Sequence, residues 1–196
     1  MSSTIPYYDC HEEISLSLLI SFLENPDNSE KEKVCNNFLN HASGFCHKKI
    51  LKYLLERDVN VNNKGYQGNA PIHRAALVGK VEIIRLLFEH GANLNAKNDY
   101  LETPLSLAVS MGNVGAVRYL LDNGALVNEC DNCGSGPLHR ACYNGYLEIV
   151  KMLLDSGADR EKRTVCGGIP GDYFLSYVRD ENVKIGIRKL LSQEAF

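Results

Sequence analysis

An all-α repeat solenoid is the fold class predicted for this chain of 196 residues, and three features of the sequence predict it. The segment Ala70-Pro71-Ile72-His73-Arg74-Ala75 returns 33 residues later as Thr103-Pro104-Leu105-Ser106-Leu107-Ala108, and 33 further on as Gly136-Pro137-Leu138-His139-Arg140-Ala141. Glycines keep the same interval at Gly79, Gly112 and Gly145, and again at Gly91, Gly124 and Gly157. Between them apolar residues recur at helical spacing. A fixed period of this length marks a stack of one supersecondary unit, which points toward binding rather than catalysis.

Residues 65–97 show how one unit is built. Gly65-Tyr66-Gln67-Gly68 is turn chemistry. Pro71 suits the first turn of a helix, where its missing N–H costs nothing. Ile72, Ala75 and Ala76 share one face of that short helix, and Gly79 ends it. Val81, Ile83, Ile84, Leu86 and Leu87 give a second helix a wide apolar face. Gly91 stops it, and Asn93-Leu94-Asn95 leads into the next turn.

The same skeleton predicts four units: a degenerate one at 32–64, then 65–97, 98–130 and 131–163. In the first, Cys46 and Asp58 stand where later units have glycine. Ala42, Ala75, Ala108 and Ala141 form a column of small residues through which first helices approach one another. Leu101 takes the place of a turn glycine in the third unit. Residues 164–196, with the damaged copy Ile169-Pro170-Gly171-Asp172, read as a degenerate repeat serving as a C-terminal cap. There Leu190-Leu191 falls four residues later than the spacing from Leu153-Leu154 requires. Residues 1–31 read as an N-terminal helical cap, since the ends of a stack must shield apolar surface from water. Asp9 with Glu12 suggests a capping box opening a helix of about 11–24. Asn25-Pro26-Asp27 breaks that helix, and Ser29 with Glu32 suggests a second box.

Composition narrows the function classes. With 21 Lys+Arg against 24 Asp+Glu the net charge is −3, which gives no electrostatic case for nucleic acid or an anionic membrane. Hydrophobic content of 44% is that of a folded chain. Met1 to Cys10 has neither a basic residue nor an apolar run, so no signal peptide is read. Ile14–Leu23 is broken by serines and falls short of a membrane span. Ser2 does not fit the myristoylation pattern. Seven cysteines without the spacing of a disulfide framework suggest free thiols in a reducing compartment. The expectation is a cytoplasmic monomer, with the nucleus or a host-cell cytosol as alternatives.

No catalytic constellation is visible: there is no phosphate-binding loop, nucleophile elbow or H-E-x-x-H. No cofactor is expected. Cys130 and Cys133, followed by His139 and Cys142, have some likeness to a zinc set. Threaded on the repeat, however, the first two lie on a loop and the others in a helix, so no metal is predicted. Cys133 and Cys166 occupy equivalent loop positions in successive units; a helix-packing separation of roughly 10 Å places them too far apart for a relaxed disulfide. A basic column, Lys52, Arg85, Arg118 and Lys151, is followed four residues on by Glu56, Glu89, Asp122 and Asp155. These read as same-helix pairs on a solvated outer face.

These residues resemble the ankyrin-repeat pattern, whose unit is 33 residues with a T-P-L-H-x-A signature. The likeness is close over 65–163, as in Gly145-Tyr146-Leu147-Glu148-Ile149-Val150-Lys151-Met152-Leu153-Leu154, and looser over 32–64 and 164–196. It implies helix pairs joined by short β-hairpin loops, and a non-enzymatic adaptor that binds another protein on a concave face formed by hairpin tips and first helices. Carried over by position, the partner-binding residues are Tyr66, Gln67, Leu77, Val78, Asp99, Tyr100, Met111, Asn132, Tyr143 and Asn144. Asn62, Asn95 and Asn128 match the family's target of asparaginyl hydroxylation, which makes a modified substrate the alternative reading. A host-directed effector of an intracellular bacterium is another. The signature Thr and His of the family support each other by hydrogen bonds. Here the pairs are Ala70 with His73, Thr103 with Ser106 and Gly136 with His139, so each is expected to be incomplete.

Overall fold

The computed structural model describes residues 12–24, 30–57, 59–172 and 178–192. Asp9, the Asn25-Pro26-Asp27 break, Ser29 and Asp58 lie outside them. The helices with assigned bounds are α1 (Glu12–Glu24), α2 (Lys31–Phe45), α3 (Lys48–Leu55), α4 (Pro71–Val78), α5 (Val81–Glu89), α6 (Pro104–Ser110), α7 (Val114–Asp122), α8 (Pro137–Asn144), α9 (Leu147–Asp155) and α10 (Glu181–Ser192). α2, α4, α6 and α8 pack in succession as one row. α5, α7, α9 and α10 follow one another in a second row, and α1 lies against α3. α2 begins at Lys31 with Glu30 at the N-cap position, where no side-chain cap bond is made.

The core is a set of columns running through the stack. Leu39, Ile72, Leu105 and Leu138 make one from the first helices, and Ala42, Ala75, Ala108 and Ala141 make another. Leu54, Leu87, Leu120 and Leu153 make the corresponding column of the second helices, and every member has no exposed surface. Each unit therefore buries its apolar face against its neighbours.

The joints between helices need glycine for two reasons. Gly79 and Gly112 are left-handed, at φ 76° and 70°. They also leave room for the next unit: a Cβ on Gly79 would lie 2.5 Å from the Asn113 side chain, and one on Gly112 2.9 Å from the Tyr146 ring. Asn113 uses this closeness to donate from Nδ2 to the Ala76 and Leu77 carbonyls at 3.1 and 3.0 Å. It thereby caps α4 from the following repeat.

Several expectations change. Among the described residues no strand forms. Each loop is a finger closed across its base by a backbone bond, as from Asn98 N–H to Glu102 O at 3.0 Å and from Asp131 N–H to Ser135 O at 3.1 Å, with a tighter turn inside it, as from Leu101 N–H to Asn98 O at 3.0 Å. Thr103 and Ser106 are a complete reciprocal pair, not a broken one. Ser106 N–H donates to Thr103 Oγ1 at 3.2 Å, and Thr103 N–H donates to Ser106 Oγ at 3.0 Å. A serine hydroxyl can accept there as an imidazole nitrogen does. In the neighbouring units half of the motif survives, with Ala70 N–H donating to His73 Nδ1 at 3.1 Å and Gly136 N–H to His139 Nδ1 at 3.2 Å. Leu101 takes the left-handed conformation of the glycine it replaces, with φ 61°, at a cost of roughly 1–2 kcal/mol for a residue with a Cβ.

The expected same-helix ion pairs are not made among the described residues. Arg118 instead reaches Glu148 of the next unit at 3.3 Å, and Lys48 pairs with Glu82. The last described helix accounts for the displaced leucine pair. α10 has 12 residues against nine in α9, so Val183, Ile187, Leu190 and Leu191 share one face one turn longer. Ile187 is fully buried. Gly186 falls in the leucine column and lets Leu147 approach, with Cδ1 3.0 Å from where a Cβ would be.

Candidate functional site

Fingers and first helices form one continuous side of the stack, and backbone bonds hold the fingers together. Asp99 N–H donates to Gln67 O at 3.1 Å, Asn132 N–H to Tyr100 O at 3.1 Å and Val165 N–H to Cys133 O at 2.9 Å. Neighbouring fingers are therefore one hydrogen-bond step apart, not a helix-packing distance. The fingers that carry Cys133 and Cys166 are thus closer than the roughly 10 Å expected from helix packing, and both residues are free exposed thiols.

The fingers at 98–102 and 131–135 are shaped from inside. Asn98 Oδ1 accepts from Tyr100 N–H and Glu102 N–H, both at 2.9 Å. One unit on, Asp131 Oδ1 accepts from Cys133 N–H at 2.8 Å and Ser135 N–H at 3.0 Å. Such side-chain bonds replace a backbone turn. Asp131 and Glu102 then meet Arg140 on α8. Its Nη2 lies 2.7 Å from Glu102 Oε1 and 2.7 Å from Asp131 Oδ2, and its Nη1 donates to Ser110 Oγ at 2.7 Å. The three charged side chains are only 21%, 17% and 9% exposed.

The residues assigned to partner binding lie on this side. Tyr66, Gln67, Asp99, Tyr100, Asn132, Val78, Met111, Tyr143 and Asn144 are exposed, and Leu77 is half-buried. Tyr66 is 79% and Met111 53% exposed. Two fingers touch through these side chains, Gln67 Nε2 donating to Tyr100 Oη at 3.2 Å. The sequence reading missed Phe45, 59% exposed, and Val165. Both were within reach of the register: Phe45 stands one period before Val78 and two before Met111, and Val165 continues the column of Tyr66, Asp99 and Asn132.

Asn62, Asn95 and Asn128 sit elsewhere, at the turns that follow the second helices. Each amide bridges to the next unit. Asn62 Oδ1 accepts from Asn93 N–H at 2.8 Å while its Nδ2 donates to Gly91 O at 3.0 Å. Asn95 makes the same pair with Leu126 and Gly124, and Asn128 with Asp159 and Gly157. They are staples between repeats, and one amide satisfies two backbone groups each time.

The cysteines and histidines are set by burial. Cys142 is buried beside Ala141, and burial pushes its thiol up to about 12. Burial also raises the Cys130 and Cys35 thiols. Protonated thiols are poor nucleophiles and poor metal ligands. No group of His, Cys, Asp or Glu that could hold a metal occurs among the described residues, and no described helix is long and apolar enough to cross a membrane.

His73 has no exposed surface; its Nδ1 accepts from Ala70 N–H, so Nε2 carries the proton toward Glu102 O at 3.2 Å. Burial lowers its pKa, and likewise those of His41 and His139. A folded pKa below the unfolded value of about 6.5 means that the unfolded chain binds protons first. Stability is therefore fully present above about pH 6.5 and falls as pH drops below it. Urea midpoints at pH 7.5 and 5.5 check this. The His73→Gln variant should show a shallower fall, and an unchanged dependence would contradict the role of His73.

The comparison with known proteins agrees with this geometry. No curated protein matches the chain. The family model described as Ankyrin repeats (3 copies) matches residues 10–98 and again 96–164, together more than half of the chain. The first match takes in α1, which the sequence reading left outside the repeats. With the helix pairs, left-handed joints and finger bonds in the matched register, this chain belongs to the ankyrin-repeat family.

Proposed function

We propose that this chain is a non-enzymatic adaptor that holds a partner protein on the concave face made by its fingers and first helices. Ankyrin repeats are generally protein–protein interaction modules. The observation that carries the reading is the exposed row Phe45, Val78 and Met111, which repeats at one position of successive first helices and is flanked by Tyr66, Tyr100 and Tyr143. The core columns are filled without these side chains, so folding does not require them. Aromatic residues and Met are enriched at the centres of protein interfaces. In this reading α1 covering α3 and α10 covering α9 close the two ends of the stack.

The test is affinity capture from cytosol with the full chain and with a Tyr66/Tyr100/Tyr143 triple alanine variant. The wild type should retain a specific protein that the variant loses. Equal recovery of every partner would overturn the assigned surface.

A further inference from the structure

Arg140 and Arg74 occupy the same position two units apart, yet their surroundings are opposite. Around Arg140 the chain supplies Glu102, Asp131 and Ser110. The corresponding positions around Arg74 are Asn36, Gly65 and Gly44. Both carboxylates and the hydroxyl are gone, and two of the three positions have no side chain. Among the described residues no carboxylate pairs with Arg74. In place of the missing side chains is a cleft of ≈ 390 Å³ between α2 and the finger of the next unit, bounded by Arg74 and Gly65 and lined by no carboxylate. Phe45 and Tyr66, 59% and 79% exposed, line it as well. Gly44 lets the arginine lie against α2, its Nε 3.4 Å from where a Cβ would stand.

We propose that this cleft is the anchor point for an acidic peptide segment of the partner: one Asp or Glu carboxylate pairs with Arg74, and an adjacent apolar side chain packs against Phe45 and Tyr66. The proposal rests on the concave-face reading and names the chemistry of its partner. The physical reason is substitution: the ligand supplies the charge that Asp131 and Glu102 supply to Arg140. An arginine–carboxylate bond with apolar walls is stronger and more directional than a pair in open water.

A random dodecapeptide display library selected on the full chain tests this, with the recovered peptides measured by fluorescence anisotropy. They should share an Asp or Glu beside an apolar residue. Arg74→Gln should weaken them at least about tenfold, or 1.4 kcal/mol. Gly65→Asp should do the same by placing an internal carboxylate beside Arg74, as Asp131 stands beside Arg140. At φ −99° Gly65 lies outside the left-handed region, and an added Cβ would stand 3.3 Å from the Asn40 side chain, which must shift by a few tenths of an ångström to admit it. Lys151→Gln on the outer face should leave affinity unchanged, and thermal melts establish that each variant folds. Peptides without an acid, or indifferent to Arg74→Gln, overturn the cleft. If such peptides are weakened by Tyr143→Ala, the broader face stands without this anchor. A library that yields no binder counts against both.

Discussion

Leu120→Ala lowers the unfolding free energy by about 2–5 kcal/mol, the range for truncating a buried leucine. Leu120 has no exposed surface and stands in the middle of the column Leu54, Leu87, Leu120, Leu153. α7 packs against α6 of its own unit and against α5 and α9 of the neighbouring units, so a cavity in it weakens the unit and its interfaces together. Leu190→Ala costs less, because Leu190 is only half-buried at the end of α10. That end is already thin: Gly186 stands where earlier units have leucine. Loosening α10 uncovers Leu147 and the apolar side of α9, so the Leu190 variant should aggregate before it unfolds globally. Urea titrations give the first comparison, and light scattering during a thermal ramp gives the second. Amide exchange should be slow through residues 70–155 and faster after 170. Equal destabilisation by the two truncations would mean that the last helix is as firmly packed as the centre.

The columns were legible because the 33-residue period places each core residue over its counterpart. Proline, alanine, leucine and glycine each had one local reason to be where they are, and those reasons repeat. The exposed row of apolar side chains was legible where the repeat was close, and Phe45 was lost because the first unit aligned loosely. Other features depend on neighbours distant in sequence. Asn113 caps α4 from 36 and 37 residues away, and Arg140 meets Glu102 at a separation of 38. No local window shows such partners. Ser106 was discounted because it is not histidine, although the pairing needs only an acceptor at that place. The charge column was read within one helix, whereas stacking brings Arg118 to Glu148 of the next unit. The leucine pair at 190–191 looked displaced because the sequence does not show that α10 runs a turn longer than α9.

Arg140→Met is expected to cost about 3 kcal/mol, since breaking a mostly buried ion network from one side leaves charges without a partner. Glu102 and Asp131 would stay behind, 17% and 9% exposed, with their cation gone. Methionine keeps most of the apolar stem, so the loss reports charge and hydrogen bonds more than volume. Asp131 also shapes its finger through Oδ1, so amide exchange at Cys133 and Ser135 should speed up in the same variant. Restoring neutrality tests the cause. Adding Glu102→Gln and Asp131→Asn should recover most of the lost stability, because Asn98 shows that an amide oxygen can hold the same turn one unit earlier. Arg74→Met should cost about 1 kcal/mol or less, since no described carboxylate pairs with Arg74 and methionine keeps most of the stem that lies against α2. The two arginines share one place in the repeat and differ only in what surrounds them. Denaturation of the variants in low and high salt reads this difference directly. Equal costs at both positions would show that the arginine stem, and not its carboxylate partners, is what the stack depends on.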